Sequence, residues 1–423
     1  MINHIFKNID EALDYVLCEE IEALQNDAFR SSPPNMFSLQ AMNFFRPFNE
    51  EDAKKSIIAV DSLDYPLSGF FNKADTSSFI MTRLQSGRFS LKPNLRKRKY
   101  LFRGENSFHD TNVPNMFRTK ANRFTCESVA YQEMFLVILS HPLVQLLDLG
   151  IVMGNRRCVF EVNLWGLTQH YYNKTTLLDL TSDPNVASFF AVTTYDAESD
   201  CYRPVSAEGE GVLYYYDLDI RNSFQPTLQH INGNINTIGL QIFPRSGTQR
   251  GFLLNMEKGQ NFNNFTETNY VKFKHNAEIS QRIFEEFEKG KKLFPNDILQ
   301  AHWKNHKKNT VSNKTMLLNQ SINSDYTMEQ LRKEVIDAGW SIENYQPNFS
   351  SEELHSYYQD IKNGMWGAFC DKIFIPGDKD GKMKEDLLMT EKKAEYSWAF
   401  QEDKIIDIDY QNGFLLKKYA RFL

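Results

Sequence analysis

The segment Leu177-Leu178-Asp179-Leu180-Thr181-Ser182-Asp183-Pro184 constrains this chain more than any other. Its leucines read as the end of a short buried strand. Ser182 or Asp183 before Pro184 is a helix-start signature, because a short oxygen-bearing side chain accepts a first-turn N–H and proline has none to satisfy. Val186, Phe189 and Phe190 then recur at i, i+3 and i+4, which gives the following helix an apolar face. A strand feeding straight into an amphipathic helix calls for packed layers, so an α+β fold is expected. A carboxylate among leucines also needs a partner, and Arg103 or Arg245 are the natural ones for Asp179.

At 423 residues the chain is long for one domain. Hydrophobic residues make up 41%, with 33 Phe and 19 Tyr, enough apolar surface for a sizeable core. The net charge of −6 gives no whole-chain pull toward nucleic acid or an anionic membrane, and nucleic acid is not favoured as a partner. Cys18, Cys126, Cys158, Cys201 and Cys370 are scattered and odd in number, which fits a reducing compartment and lacks zinc-ribbon spacing. The segment Met1–Lys7 has no apolar core of a secretion signal, and no run of about 18 apolar residues offers a membrane span. A cytoplasmic location without membrane attachment is expected. No metal is expected either: Asp378–Lys382 fails as a calcium loop, since Pro376 and Leu387 would fall on its first and twelfth positions.

Along the chain, 8–27 reads as an amphipathic helix capped at Asp10, and Ser31–Pro34 breaks it. Tyr100–Phe102 reads as a short strand ending in a glycine turn, after the basic run Arg96–Lys99, itself read as a solvated edge. Residues 125–147 read as helix with Thr125 as its cap, kinked or divided at Pro142. Val159–Val162, Val212–Tyr216, Gly239–Phe243 and Gly251–Leu254 read as strands, with a polar turn at Pro244–Arg250. Helix is expected over 276–290 and 326–365, the latter with a capping box at Thr327 and Gln330. Trp303–Lys314 reads as a linker, and 405–416 as a strand, a turn at Asn412-Gly413 and a second strand or helix. The expected organisation is a mostly helical region over 1–90, a central domain over 91–300, and a C-terminal α+β region over 315–423.

Four segments, in order, resemble the FRG domain, a bacterial family named for its first motif. They are Phe102-Arg103-Gly104-Glu105, Thr168-Gln169-His170-Tyr171 running into Leu177–Pro184, Phe189–Val192, and Arg245–Gln249 with Gly251-Phe252; Leu293-Phe294-Pro295 is similar to the closing element. At 172–176 this chain departs from the family pattern and lacks its arginine. The layout is also similar to that of ADP-ribosyltransferases. That likeness implies an ADP-ribosyltransferase-like core of mixed or antiparallel sheets with packed helices and helical flanking regions. It also implies NAD as substrate, and a setting in toxin action or phage defence. Position by position it assigns Arg103 to the NAD-gripping cation, Thr181-Ser182 to the strand-end hydroxyls, and Gln249 to the position where a transferase usually carries glutamate. An amide there can bond a ribose but supplies no charge.

Each residue also has a plain structural reading. Arg103 suits a phosphate or carboxylate, and equally a pair with Asp179, Glu105 or Glu161. His170 serves a ribose or a proton transfer, or is a core histidine. Asp179 reads first as a structural partner and second as a ligand contact. Thr181 and Ser182 suit an anion at a helix start, or plain capping. Arg245 with Gln249 forms a ligand loop or an ordinary one, and Tyr171 stacks on a ring or on the core. The catalytic candidates are therefore Arg103, His170 and Gln249, with Tyr171, Asp179, Thr181, Ser182 and Arg245 as binding candidates. The competing functions are an NAD-using transferase or hydrolase, a non-catalytic nucleotide- or partner-binding module, and an interaction protein.

Overall fold

The computed structural model describes residues 5–25, 77–84, 86–95, 98–118, 123–154, 156–172, 174–196, 198–206, 208–218, 230–231, 235–306, 311–322, 324–354, 373–375, 378, 380–387, 406–408 and 417–419. The elements that position the site are, in order, β1 (Ile5–Phe6), α1 (Ile9–Gln25), β2 (Phe79–Arg83), β3 (Phe89–Pro93), β4 (Tyr100–Glu105), α2 (Phe124–Ser140), α3 (Leu164–Tyr172), β5 (Leu177–Thr181), α4 (Pro184–Ala191) and β6 (Thr193–Asp196). They continue with β7 (Cys201–Pro204), β8 (Glu210–Asp217), β9 (His230–Ile231), β10 (Ile235–Thr237), α5 (Arg245–Thr248), β11 (Gly251–Asn255), β12 (Thr268–Lys274), α6 (Ala277–Glu286), α7 (Ile298–His306), α8 (Lys314–Ile322) and α9 (Met328–Asp337). The fold is α+β with mixed sheets.

The principal sheet has the order β1-β12-β8-β4-β5-β11-β10-β9. Its pairs are antiparallel except β1 with β12. Side chains alternate across a strand, so β8 feeds two cores. Leu213 and Tyr215 pack with α1, α4 and α6 on one face, while Val212, Tyr214 and Tyr216 pack with Leu178, Leu180, Phe252 and Phe262 on the other. A third core joins β2 and β3 to α2 and to residues 142–149, and takes in Phe349, Ile373 and Leu387 from the C-terminal part.

The N-terminal segment is bound into the sheet rather than set apart from it. β1 extends the sheet, and the buried Glu20 of α1 accepts hydrogen bonds from the Lys99 and Tyr100 N–H groups and from Arg98. Of the basic run, Arg98 and Lys99 are thus paired, to Glu20 and Asp217 respectively, rather than forming a free solvated edge. Arg96 and Lys97 lie outside the described residues.

Several local expectations are corrected by tertiary partners. Asn8, not Asp10, caps α1, while Asp10 pairs with Arg282. Thr125 lies inside α2 and bonds Glu334. Pro142 starts a separate helix capped by His141. The 156–162 region pairs at Arg156–Cys158, and Phe160 only bridges to Phe89. Gly239–Phe243 is not a strand; Leu240 makes one bridge to Leu91. Trp303 is buried inside α7 rather than lying in a linker. The capping box at Thr327 and Gln330 is present, but its helix ends at Asp337. Residues 355–365, the middle of the 303–314 linker and the turn Asn412-Gly413 lie outside the described residues; 406–408 does pair with 417–419.

Candidate functional site

β4 and β5 pair at one position only, Phe102 with Thr181, and the ladder ends there. A cleft of ≈ 660 Å³ opens beside that end, lined by residues of β4, α3, β5, α4, the β6–β7 hairpin, α5 and α7. Gly104 lets α4 cross β4 closely: a Cβ there would lie 1.8 Å from the Ala187 carbonyl oxygen. Asp183 caps α4 by accepting from the Asn185 N–H, so the helix start is read correctly from sequence, and the capping residue is Asp183 and not Ser182.

Arg103 reaches across the open strands and donates from Nη1 to the Asp179 carbonyl oxygen at 3.0 Å. Its Nε and Nη2 both meet Glu105 Oε1, at 2.8 and 2.7 Å, and Asn112 donates to the same oxygen at 3.1 Å. Its counterion is therefore Glu105, not Asp179. The Asp179 carboxylate instead accepts from Gln169 Nε2 at 2.7 Å, and Gln169 is in turn bonded by Thr175. This carboxylate is not buried among leucines: its side chain is 40% exposed and faces the cleft. Its other oxygen, Oδ1, lacks a hydrogen-bond partner and lies 4.0 Å from His170 Nε2, which also lacks one.

His170 is buried beneath the cleft with its ring against Gly251, where a Cβ would fall 2.5 Å from Nε2. Burial lowers its pKa, Asp179 raises it and Arg245 lowers it again, leaving a neutral imidazole at neutral pH. Gln249 is buried too, and its amide donates to the Leu293 carbonyl at 3.0 Å. Thr181 lines the cleft but its hydroxyl is engaged by the Gln249 carbonyl at 2.6 Å. Ser182 is buried and is not among the lining residues. Tyr171 donates to Asp297 at 2.6 Å and lies beneath the Arg245 guanidinium.

Arg103, His170, Gln249, Tyr171, Asp179, Thr181 and Arg245 are thus brought to one cleft, and Ser182 is not. Arg118 and Lys304 also line it and escaped the sequence reading. Arg118 ends a single helical turn whose sequence carries no motif; burial and then Arg103's charge lower its pKa. Lys304 was hidden by its basic neighbours and reaches Asp200 at 2.5 Å.

The FRG domain model matches residues 98–200, a span that holds Arg103, His170, Asp179 and Thr181. This chain carries an FRG domain. The match ends before β8, β11 and β12, yet these strands complete the same sheet, so Arg245 and Gln249 reach the FRG cleft from outside the matched span. No curated protein and no solved structure matches the chain. No helix among the described residues is long and apolar enough to cross a membrane.

Proposed function

We propose that the FRG cleft binds NAD and cleaves its nicotinamide–ribose bond, as an ADP-ribosyltransferase-like or NAD-hydrolysing enzyme. One observation carries this reading. The Asp179 carboxylate lines a cleft that also holds Arg103, Arg118, Arg245 and three lysines; one of its oxygens is held by Gln169, and the other, buried against His170, has no hydrogen-bond partner among the described residues. The second lining carboxylate, Asp200, is taken up by Tyr195 and Lys304. A cationic cleft suits a dinucleotide, and a lone carboxylate within it suits the positive charge that develops on the ribose as the bond breaks. Asp179 would then supply the charge that Gln249 does not.

In hydrolysis the bond between ribose C1′ and the ring nitrogen breaks, and its electron pair neutralises the nicotinamide ring. Water adds to C1′ and loses one proton, giving ADP-ribose, nicotinamide and H⁺. In transfer, a nucleophile on a target takes the place of water. The neutral His170, 4.0 Å from Asp179, is placed to orient that carboxylate.

Calorimetric titration of NAD and ADP-ribose, paired with a nicotinamide assay, tests this. Wild type is expected to bind both and release nicotinamide, and Asp179→Asn to bind comparably while release falls by about a hundredfold. Absence of NAD binding by wild type would sink the reading. A second reading, a nucleotide-binding module without chemistry, draws on the buried and engaged Gln249 amide. Binding without nicotinamide release would select it.

A further inference from the structure

Arg103 is the cation that the family motif advertises, but its charge is already answered. Two of its nitrogens meet the Glu105 carboxylate and a third is bonded to a carbonyl. Arg245 is in the opposite condition. It is only 8% exposed, and its guanidinium carbon lies 4.5 Å from the Tyr171 ring centre and 5.2 Å from that of Phe294. Nη1 donates to the His170 carbonyl at 2.9 Å, while the buried Nε has no hydrogen-bond partner. No carboxylate among the described residues stands within ion-pair distance of it. Asp297 feels its charge but is bonded to the Tyr171 hydroxyl, and Asp200, which also feels it, is held by Lys304.

A guanidinium buried without a counterion is costly, and an external anion bound against it would relieve that cost. The surroundings point to what kind. Lys289 and Lys291 also line the cleft, on a tight turn where Glu288 and Lys289 both hold positive φ, 52° and 59°; Lys289 lies 3.7 Å from Glu285, and Lys291 makes no ion pair among the described residues. Non-glycine residues in that region are strained, and here the strain places two lysines at the mouth of the cleft. Tyr202 and Phe294, stacked with centres 4.9 Å apart, form the adjoining wall. Arginine's planar donors suit phosphate oxygens, and the lysines add charge without geometry.

We infer that Arg245, with Lys289 and Lys291, forms the phosphate-binding subsite of the cleft, and that Arg103 is a structural cation that braces the open strands. This assignment rests on the nucleotide reading of the cleft, and it moves the diphosphate contact from the arginine of the first motif to one outside the matched domain span. Nucleoside diphosphates and dinucleotides are the ligand class, bound through the diphosphate.

The test titrates full-length protein with pyrophosphate, ADP and adenosine. Wild type is expected to bind the first two, with adenosine weaker by about tenfold or more. Arg245→Lys is expected to weaken ADP by about tenfold, since a lysine cannot reproduce the fork. Folded Arg103→Lys is expected to change ADP affinity by less than about threefold. Lys291→Ala, at an exposed position, is expected to weaken ADP severalfold and to flatten the salt dependence, and it reports on the subsite even if Arg245→Lys does not fold. Unchanged ADP affinity in Arg245→Lys or in Lys291→Ala would overturn the assignment. So would a larger loss in Arg103→Lys, or failure of wild type to bind ADP and pyrophosphate. ADP bound through Arg245 with no NAD cleavage would remove the proposed chemistry alone. Nicotinamide release with unaltered ADP affinity in Arg245→Lys would remove this subsite alone.

Discussion

The two ends of the FRG cleft hold their arginines in opposite ways. At the β4 end, Arg103 is neutralised by Glu105, tied to the Asp179 carbonyl, and set next to a glycine that lets α4 press against the strand. At the α5 end, Arg245 is more deeply buried yet has aromatic faces and one carbonyl where a carboxylate would be expected. The first arrangement satisfies itself and reads as architecture. The second leaves charge unanswered, which is what a binding site for an anion requires. Both arginines lie in segments that resemble the family, so membership in a motif does not tell which of them is ready to bind an anion.

The contrast can be broken or sharpened by stability measurements. The largest effect is expected for Gly104→Ala, whose Cβ would meet the Ala187 carbonyl and the Ala191 nitrogen at 1.8 and 2.7 Å. Backbone atoms cannot give way cheaply, so a loss of about 3 kcal/mol or more is expected in urea unfolding. Wild-type stability in this variant would mean that α4 is not clamped on β4. Next, Glu105→Gln leaves Arg103 without its counterion and is expected to lose about 2 kcal/mol, moderated by the partial exposure of Arg103. A neutral result would make the two ends alike.

A pH effect comes third. Burial lowers the pKa of both His141, to about 3, and His170. Each is neutral in the fold but takes a proton in the unfolded chain below about pH 6.5. Their contribution is whole above that pH and is lost progressively as pH falls below it. Urea midpoints between pH 7.5 and 5 should decline accordingly. His141→Asn should remove one histidine's share while keeping an acceptor for the Leu143 N–H. A flat profile would contradict the burial of both rings.

The smallest change is expected for Arg245→Met, which removes a buried charge without a carboxylate partner and retains the packing between Tyr171 and Phe294. Its stability should lie within about 1 kcal/mol of wild type, or above it. A loss of several kcal/mol would make Arg245 as structural as Arg103.

Local grammar made much of this fold legible. Leu177–Thr181 had to be a strand, Asp183-Pro184 had to open a helix, and Thr327 with Gln330 formed the capping box that their spacing implies. Failures arose where a distant partner overruled a local signal. Trp303 and Lys304 sit in a basic run that reads as a linker, yet the tryptophan is buried in α7 and the lysine reaches Asp200. Gly239–Phe243 has the composition of a strand but meets no edge except at Leu91. Arg118 carries no motif and enters the cleft only because the chain turns there.

The sequence by itself determined the strand at Leu177–Thr181 and the helix it feeds, the α+β class, and the set of polar residues around Arg103, His170, Asp179 and Arg245, because strand alternation, capping and turn chemistry act between near neighbours. Only the tertiary structure decided which carboxylate answers which arginine. Ion pairing depends on distances of a few ångströms between residues far apart in the chain, as with Arg103 reaching Asp179 across 76 residues to bond its carbonyl and not its carboxylate. No local pattern records that distance; the splaying of β4 from β5 sets it.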